Sequence, residues 1–368
     1  MNRIIDFLKK EIVLSVSFVL ALISMFFVPP SEKYFDYIDF RTLGLLFSLM
    51  TIMAGLNKMG IFRLLAKNLL NKAKTMRGVT LLLVLLCFFS SMLITNDVAL
   101  ITFVPFSVVL LKLANKQNRM IFVVTLETIA ANLGSMLTPI GNPQNLYLFS
   151  AYNMSISDFF YTIAPYAMLS LGLLVIFSLF SDKSELANLG DREEVIFDKR
   201  LLTMYAVLFA IALLSVFRVL NYIVLLAVVI VFVLIFDRKV LLKVDYSLLV
   251  TFVFLFIFIG NLGNIAQINS WLSEIVGGNE VVVGVLASQV FSNVPAAILL
   301  SGFTCNAAAL MIGVNIGGLG TLIASMASLI SFKFIQKESV SIAKYLGVFT
   351  LLNVVFLAAN LALWVVVK

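Results

Sequence analysis

The chain has 368 residues, 62% of them hydrophobic and 12% charged, with a mean hydropathy of +1.09; soluble domains carry about 25% charged residues, so water is excluded as the main solvent. With no histidine and only Cys87 and Cys305 as cysteines, a His/Cys metal site and a disulfide framework are excluded. The net charge of +7 reads as basic residues gathered in cytoplasmic loops, not as a nucleic-acid surface.

The composition predicts an all-α integral membrane protein with about nine full spans, because stretches near the roughly 20 residues that cross a bilayer recur along the chain. Residues 1–40 supply a first span, Glu11–Val28, and an external loop. No small-residue cleavage site follows that span, which meets Pro29-Pro30, so it is expected to be retained. Residues 41–180 form a first repeat: a span at Arg41–Lys58, an interfacial helix at Ile61–Leu70, an interrupted apolar segment at 79–113, a span at 121–150 broken by glycines and prolines, and a span at Phe159–Phe180. Residues 181–200 are a mixed-charge cytoplasmic linker. A connecting pair of spans, Leu201–Phe217 and Tyr222–Phe236, fills 201–244. Residues 245–368 repeat the plan, with a span at Tyr246–Gly263, an interfacial stretch at Ile268–Val276, an interrupted segment at 281–303, a broken span at 307–332 and a last span at Tyr345–Val367.

Four polar marks recur in the same order in both halves. Asp39 matches Asp245, Thr95-Asn96 matches Ser292-Asn293, Asn132-Leu133-Gly134-Ser135 matches Gly318-Leu319-Gly320-Thr321, and Ser157 matches Ser341, at offsets of 206, 197, 186 and 184. Basic residues fix the relative orientation. Arg63 to Arg77 precede the first interrupted segment and Lys112 to Arg119 follow it, whereas 267–280 and 304–308 contain none. The repeats are therefore expected to be inverted, each interrupted segment returning to its own side as a re-entrant helical hairpin. Two consecutive spans are the alternative for 79–113, whose arms of about 17 residues sit at the lower limit for crossing. With the N-terminus inside, 22 of 26 Lys and Arg fall in the cytoplasm and the C-terminus is external.

The hairpin tips, Thr95-Asn96-Asp97 and Ser292-Asn293-Val294-Pro295, read as helix starts whose unpaired N–H groups attract anions without a cationic side chain. A helix broken inside lipid persists where its freed carbonyls line a cavity or hold an ion, which gives the clusters around Gly134, Thr138, Gly141, Asn142, Gly318, Gly320, Thr321 and Ser325 a reason. Close helix packing alone is the alternative for Gly317 or Gly318, but it explains poorly why Pro139, Gly141 and Pro143 cluster within one apolar span.

The motifs Thr95-Asn96-Asp97, Gly141-Asn142-Pro143-Gln144-Asn145 and Ser292-Asn293-Val294-Pro295 resemble the signatures of the ion transporter superfamily, which includes arsenite permeases, citrate permeases and divalent anion/sodium symporters. The resemblance covers nearly the whole chain from Arg41. It implies one cation site at Thr95, Asn96, Gly134, Ser135 and Gly141 and a second at Ser292, Asn293, Gly318, Gly320 and Thr321, with Na+ or H+ as coupling ion and no other cofactor. Substrate would meet Thr95, Asn96, Asp97, Thr138, Asn142, Ser292, Asn293, Val294 and Ser325. In the sodium-coupled members both tips end in threonine; Asp97 and Val294 depart from that pattern. Relatives dimerise and move their hairpin domain like an elevator, which the resemblance carries over as an expectation. Asp97 and Glu127 are the candidate proton or cation carriers, since an ionised side chain at the bilayer centre is costly; for Glu127 a purely structural role stands beside that. The expected activity is coupled transport of a small anion, an inorganic oxyanion or carboxylate, across the cytoplasmic membrane, with a Na+/H+ antiporter using Asp97 and Glu127 as the alternative. No HExxH or GxSxG motif occurs, so enzymatic chemistry is not expected.

Overall fold

The computed structural model describes residues 11–60, 75–184 and 198–367, which are helical and contain no strand. The interfacial helix expected at 61–70, the first ten residues and most of the 181–200 linker lie outside the described residues.

Three helices open the chain: α1 (Ile12–Phe27), short α2 (Lys33–Tyr37) and α3 (Phe40–Lys58), the last capped by the Asp39 carboxylate on the Thr42 amide. The first interrupted segment is two helices, α4 (Met76–Ile94) and α5 (Asn96–Leu113), joined by Thr95 alone. Next come α6 (Met120–Ser135), a loop, α7 (Pro143–Ala151) and α8 (Ile156–Leu179). After the linker, α9 (Lys199–Val216) and α10 (Tyr222–Phe236) pack on α3, and α11 (Tyr246–Gly263) packs along α1. The second interrupted segment is α12 (Ala266–Val276), α13 (Glu280–Phe291) and α14 (Asn293–Ser301), with Ser292 alone between the last two. The chain closes with α15 (Ala307–Ile316), α16 (Met326–Ile335) and α17 (Ile342–Val367).

Seven of the described helices are long and apolar enough to cross a membrane, or eight if the bent pair α12 and α13 counts as one. Nine full spans are not reached by length and composition among the described residues. Two of the seven are α4 and α5, of 19 and 18 residues, each about 28 Å long at 1.5 Å per residue. Length therefore permits both arms of the first pair to cross the roughly 30 Å apolar core. The second pair differs: α13 and α14 have 12 and 9 residues, at most about 18 Å each, too short to cross. A 110° bend sets α12 off from α13.

Both pairs return to where they started. Arg77, at the head of α4, donates to the Ser181 carbonyl, and Lys116, just past α5, lies 3.7 Å from the Asp182 carboxylate. At the other pair, Thr304 donates to the Glu280 carboxylate at 2.9 Å, tying the end of α14 to the head of α13. The second arm of each pair also packs on the far half of the other broken segment, α5 on α16 and α14 on α7. Each pair therefore packs on both broken segments.

Candidate functional site

Each tip turns on a single residue in an unusual conformation. Thr95 has φ 71° and ψ 153°, and Ser292 has φ 71° and ψ 154°, a region that favours glycine and costs another residue about 1–3 kcal/mol. Neither hydroxyl caps the helix that follows it. The next residue acts alike in both: the Asn96 Oδ1 accepts from the Asp97 amide at 2.9 Å, and the Asn293 Oδ1 accepts from the Val294 amide at 3.0 Å.

The tips reach the breaks. The Asn96 amide donates to the Gly141 carbonyl at 3.2 Å, and its side chain donates to the Asn132 Oδ1 at 3.2 Å. Gly141 lies so close that a Cβ would stand 2.1 Å from the Ser135 carbonyl oxygen. At the second break, a Cβ on Gly318 would meet the Asn293 side-chain amide at 2.9 Å. Gly320 has φ 110° and lies against Gln289, which fills that break: its amide donates to the Gly317 and Leu319 carbonyls at 2.8 and 2.9 Å and its oxygen accepts from the Thr321 amide at 2.9 Å. The carbonyls it engages, Gly317 and Leu319, alternate with Gly318 and Gly320 of the expected second cation site, and of that site's residues Gln289 bonds the Thr321 amide.

The breaks are bonded to each other. Ser325, which precedes α16, donates to the Asn132 Oδ1 at 2.9 Å. Asn142, the cap of α7 through the Asn145 amide, donates to the Asn315 Oδ1 at 3.2 Å, and Asn315 donates to the Asn145 Oδ1 at 2.6 Å. Asn142 also donates to the Ser135 hydroxyl at 3.1 Å. Each broken helix therefore ends on an asparagine that holds the residue starting the second half of the other. These side chains are buried, Asn142 at 1% exposure and Asn315 at 2%, yet the Asn132 Nδ2 and Gln144 Oε1 are enclosed without a partner.

The packing also resets the register of the two halves. Gly134 fits against Phe88 and Ser91, and Gly317 against Val285 and Ser288; these lie seven and four residues before Thr95 and Ser292 respectively. One offset, 183, then relates Asn132 to Asn315, Gly134 to Gly317, Thr138 to Thr321 and Asn142 to Ser325. The offset of 186 read from Asn-Leu-Gly-Ser and Gly-Leu-Gly-Thr matches glycines by identity, whereas the close approach to the first arm selects Gly317. The repeated triplet Asn132-Leu133-Gly134 and Asn315-Ile316-Gly317 carried this signal, and it would have found Asn315. Nothing in the sequence marks Gln289, whose counterpart at offset 197 is Met92.

Other expected residues lie elsewhere or are engaged. The Thr138 hydroxyl donates to the Met92 carbonyl in the last turn of α4. The Val294 side chain, with Pro295 and Met326, faces Val13 and Ser247 around a small gap. Asp97 is half-buried with its Oδ1 enclosed and unpartnered. Glu127 stands apart from the tips, fully buried between α4, α5 and α6. Its Oε1 accepts from Ser107 at 2.5 Å and from the Cys87 thiol at 3.9 Å, and its Oε2 has no partner.

Comparison with known proteins adds to this geometry. The family model described as citrate transporter matches residues 4–309. The chain belongs to the citrate transporter family. It is 32% identical over 350 residues to an uncharacterized transporter of Methanocaldococcus jannaschii, covering 94% of this chain and 95% of that one. It is 32% identical over 326 residues to the inner membrane protein YbiR of Escherichia coli, covering 84% and 83%. A silicon efflux transporter of Oryza sativa subsp. japonica is 33% identical over 162 residues, 43% of this chain and 32% of that protein. Membership of this family, with seven helices fit to cross a bilayer, makes the protein an integral membrane transporter of ions or anions.

Proposed function

We propose that this citrate transporter family member is a secondary active transporter that carries a small anion across the cytoplasmic membrane, coupled to Na+ or H+, with the tips at Thr95 and Ser292 and the breaks at 136–142 and 317–325 as its binding centre. The observation that carries the reading is the meeting of two helix pairs, turned on residues of the same backbone geometry, with two broken helices bonded across their ends. The helix starts at Asn96, Pro143, Asn293 and Met326 converge there with amide, hydroxyl and carbonyl groups. Helix starts favour an anion, and neutral oxygen ligands suit a hard cation. No Lys or Arg occurs between Met120 and Asp182 or between Val244 and Phe332, so bound cations are the natural counter-charge for an anionic substrate.

The inverted arrangement is part of the proposal. It is supported by the shared 183-residue offset and by basic flanks on the first pair alone. In this reading the pairs are re-entrant, the N-terminus is cytoplasmic, the C-terminus is external, and α3, α9 and α10 belong to a scaffold. Lys58 binds that scaffold together at one end, 2.7 and 2.9 Å from the two Asp237 oxygens, with Tyr205 on the same carboxylate at 3.2 Å. The remaining helices move against it as an elevator within a homodimer. A relative named an inner membrane protein supports the cytoplasmic membrane as its location.

The test is uptake into proteoliposomes of labelled citrate, and in parallel of silicate and arsenite, with an imposed Na+ or pH gradient. Saturable, gradient-driven uptake of one of these anions with counterflow is the expected result. Failure of every anion, together with Na+-dependent alkalinisation in the absence of anion, would instead favour a Na+/H+ antiporter using Asp97 and Glu127. The enclosed, unpartnered oxygens of those two carboxyls are the observation behind that second reading.

A further inference from the structure

Two buried amide side chains flank the first break with hydrogen-bonding capacity to spare. Gln144, the second residue of α7, is 1% exposed; its Oε1 is enclosed without a partner, and its amide nitrogen makes no bond to any described residue. Because neither end is bonded, exchanging the oxygen and the nitrogen would change nothing. Asn132, in the last turn of α6, is 4% exposed. Its Oδ1 accepts from Asn96 and Ser325, which fixes its orientation and leaves the enclosed Nδ2 as a donor without a partner. Asn96 bonds both the Asn132 side chain and the Gly141 carbonyl, so the first tip lies against both sides of this break.

Packing gives no reason for these two groups to stay unpaired. Buried polar groups are normally satisfied, and each exception calls for an explanation. Partners are within reach of their neighbours, since the side-chain amides of Asn142 and Asn145 are bonded to Ser135, Asn315, Met136 and Thr138. Nor does the second break repeat the pattern. At the offset of 183 the counterpart of Asn132 is Asn315, bonded at both ends, and that of Gln144 is Ala327, which has no polar side chain. With no Lys or Arg between Met120 and Asp182, this part of the centre distinguishes ligands by their donors and acceptors.

We propose that Gln144 and Asn132 select the substrate, and that the substrate keeps an O–H group: a hydroxycarboxylate or a protonated inorganic oxyacid. This rests on the reading of the centre as a substrate site. The hydroxyl donates to the Gln144 Oε1, and an oxygen of the same molecule accepts from the Asn132 Nδ2. An oxyanion without hydrogen offers only acceptors and leaves the Gln144 oxygen buried and unpaired, which is how a polar site rejects an analogue that lacks one hydroxyl.

The test uses the full chain in proteoliposomes, with labelled citrate, arsenite and silicate as probes and tricarballylate, which is citrate without its hydroxyl, as competitor. If citrate is carried, tricarballylate should compete roughly ten- to hundredfold more weakly than unlabelled citrate, and Gln144→Met should bring the two to within about twofold. If arsenite or silicate is carried, Gln144→Met should raise its half-saturation concentration about tenfold with little change in maximal rate, the mark of lost binding. These two arms distinguish the hydroxycarboxylate from the inorganic oxyacid. In detergent without substrate, Gln144→Met should melt at or above the wild-type temperature, since no protein bond is lost and an unpaired polar group leaves the interior. Asn145→Leu, which breaks the bonds to Met136, Thr138 and Asn315, should melt clearly lower. Tricarballylate equal to citrate in the wild type, an unchanged half-saturation in Gln144→Met, or a melting temperature well below wild type in that variant would each overturn the proposal and leave the transport reading standing. Absence of gradient-driven uptake of every probe by the wild type would sink that reading, and this proposal with it.

Discussion

Thr95 and Ser292 hold backbone angles that only glycine adopts without cost, in two segments of otherwise different sequence. Replacing either by glycine relieves about 1–3 kcal/mol of strain and returns roughly 0.4–1 kcal/mol through the more flexible unfolded chain. Thr95→Gly and Ser292→Gly should therefore melt at or above the wild-type temperature. If the hydroxyls are ligands, as proposed, the same variants lose gradient-driven uptake; full uptake by both would remove the hydroxyls from the binding centre. Gln289 poses the opposite case, because it fills the second break instead of waiting for a ligand. Gln289→Leu strips partners from two carbonyls and one amide, and unsatisfied buried groups cost about 1–3 kcal/mol each. A clear drop in melting temperature is expected from this substitution and not from Met92→Leu, its counterpart in the first half, whose side chain has no such bonds to lose.

Between elements, the contact of each broken helix with the first arm of its pair leaves no room for a side chain. A Cβ on Gly134 would lie 2.2 Å from the Phe88 carbonyl oxygen, which is backbone and cannot swing aside. Gly134→Ala must push α4 off α6, and overpacking of this kind costs about 1–3 kcal/mol or more. Gly172→Ala, at a site with open space around it, should be near neutral by thermal melting and is the control. The amides joining the two breaks should couple: Asn142→Ala and Asn315→Ala share one bond, and a double-mutant cycle is expected to return about 0.5–3 kcal/mol, the range for residues in one network. Helix positions and the polar tips were legible in the sequence, since apolar length, Asn-Pro caps and glycine clusters are local signals. Asn315 was marked only by the repeated Asn-Leu-Gly and Asn-Ile-Gly triplets, and Gln289 by nothing, because each owes its role to a partner 170 and 28 residues away respectively, and spacing along one helix does not reveal partners on another. The register was misread for the same reason, glycine identity being visible in sequence and glycine contact not.

At the scale of the whole molecule, sidedness is the property on which the proposed mechanism turns, and the two native cysteines offer a direct probe of it. Cys87 is buried in α4, whereas Cys305 is exposed just beyond α14, beside the Thr304 bond to Glu280 that closes the base of the second pair. The opposite base is marked by Arg77 and Lys116, both bonded to the Ser181–Asp182 turn. The sequence placed these two bases on opposite faces from charge alone, because basic residues flank one pair and are missing around the other. Length could not decide it, since α4 and α5 are each long enough to cross. A membrane-impermeant maleimide should label wild-type Cys305 from outside the cell. In a Cys305→Ser background, Arg77→Cys and Lys116→Cys should both be protected until the membrane is opened. Labelling of Arg77→Cys and Lys116→Cys from opposite faces would mean a path that crosses between them, which the shared Ser181–Asp182 contact argues against. Labelling of all three positions from one face would keep both helix pairs and remove the inversion, and with it the alternating exposure of a single centre that coupled transport requires.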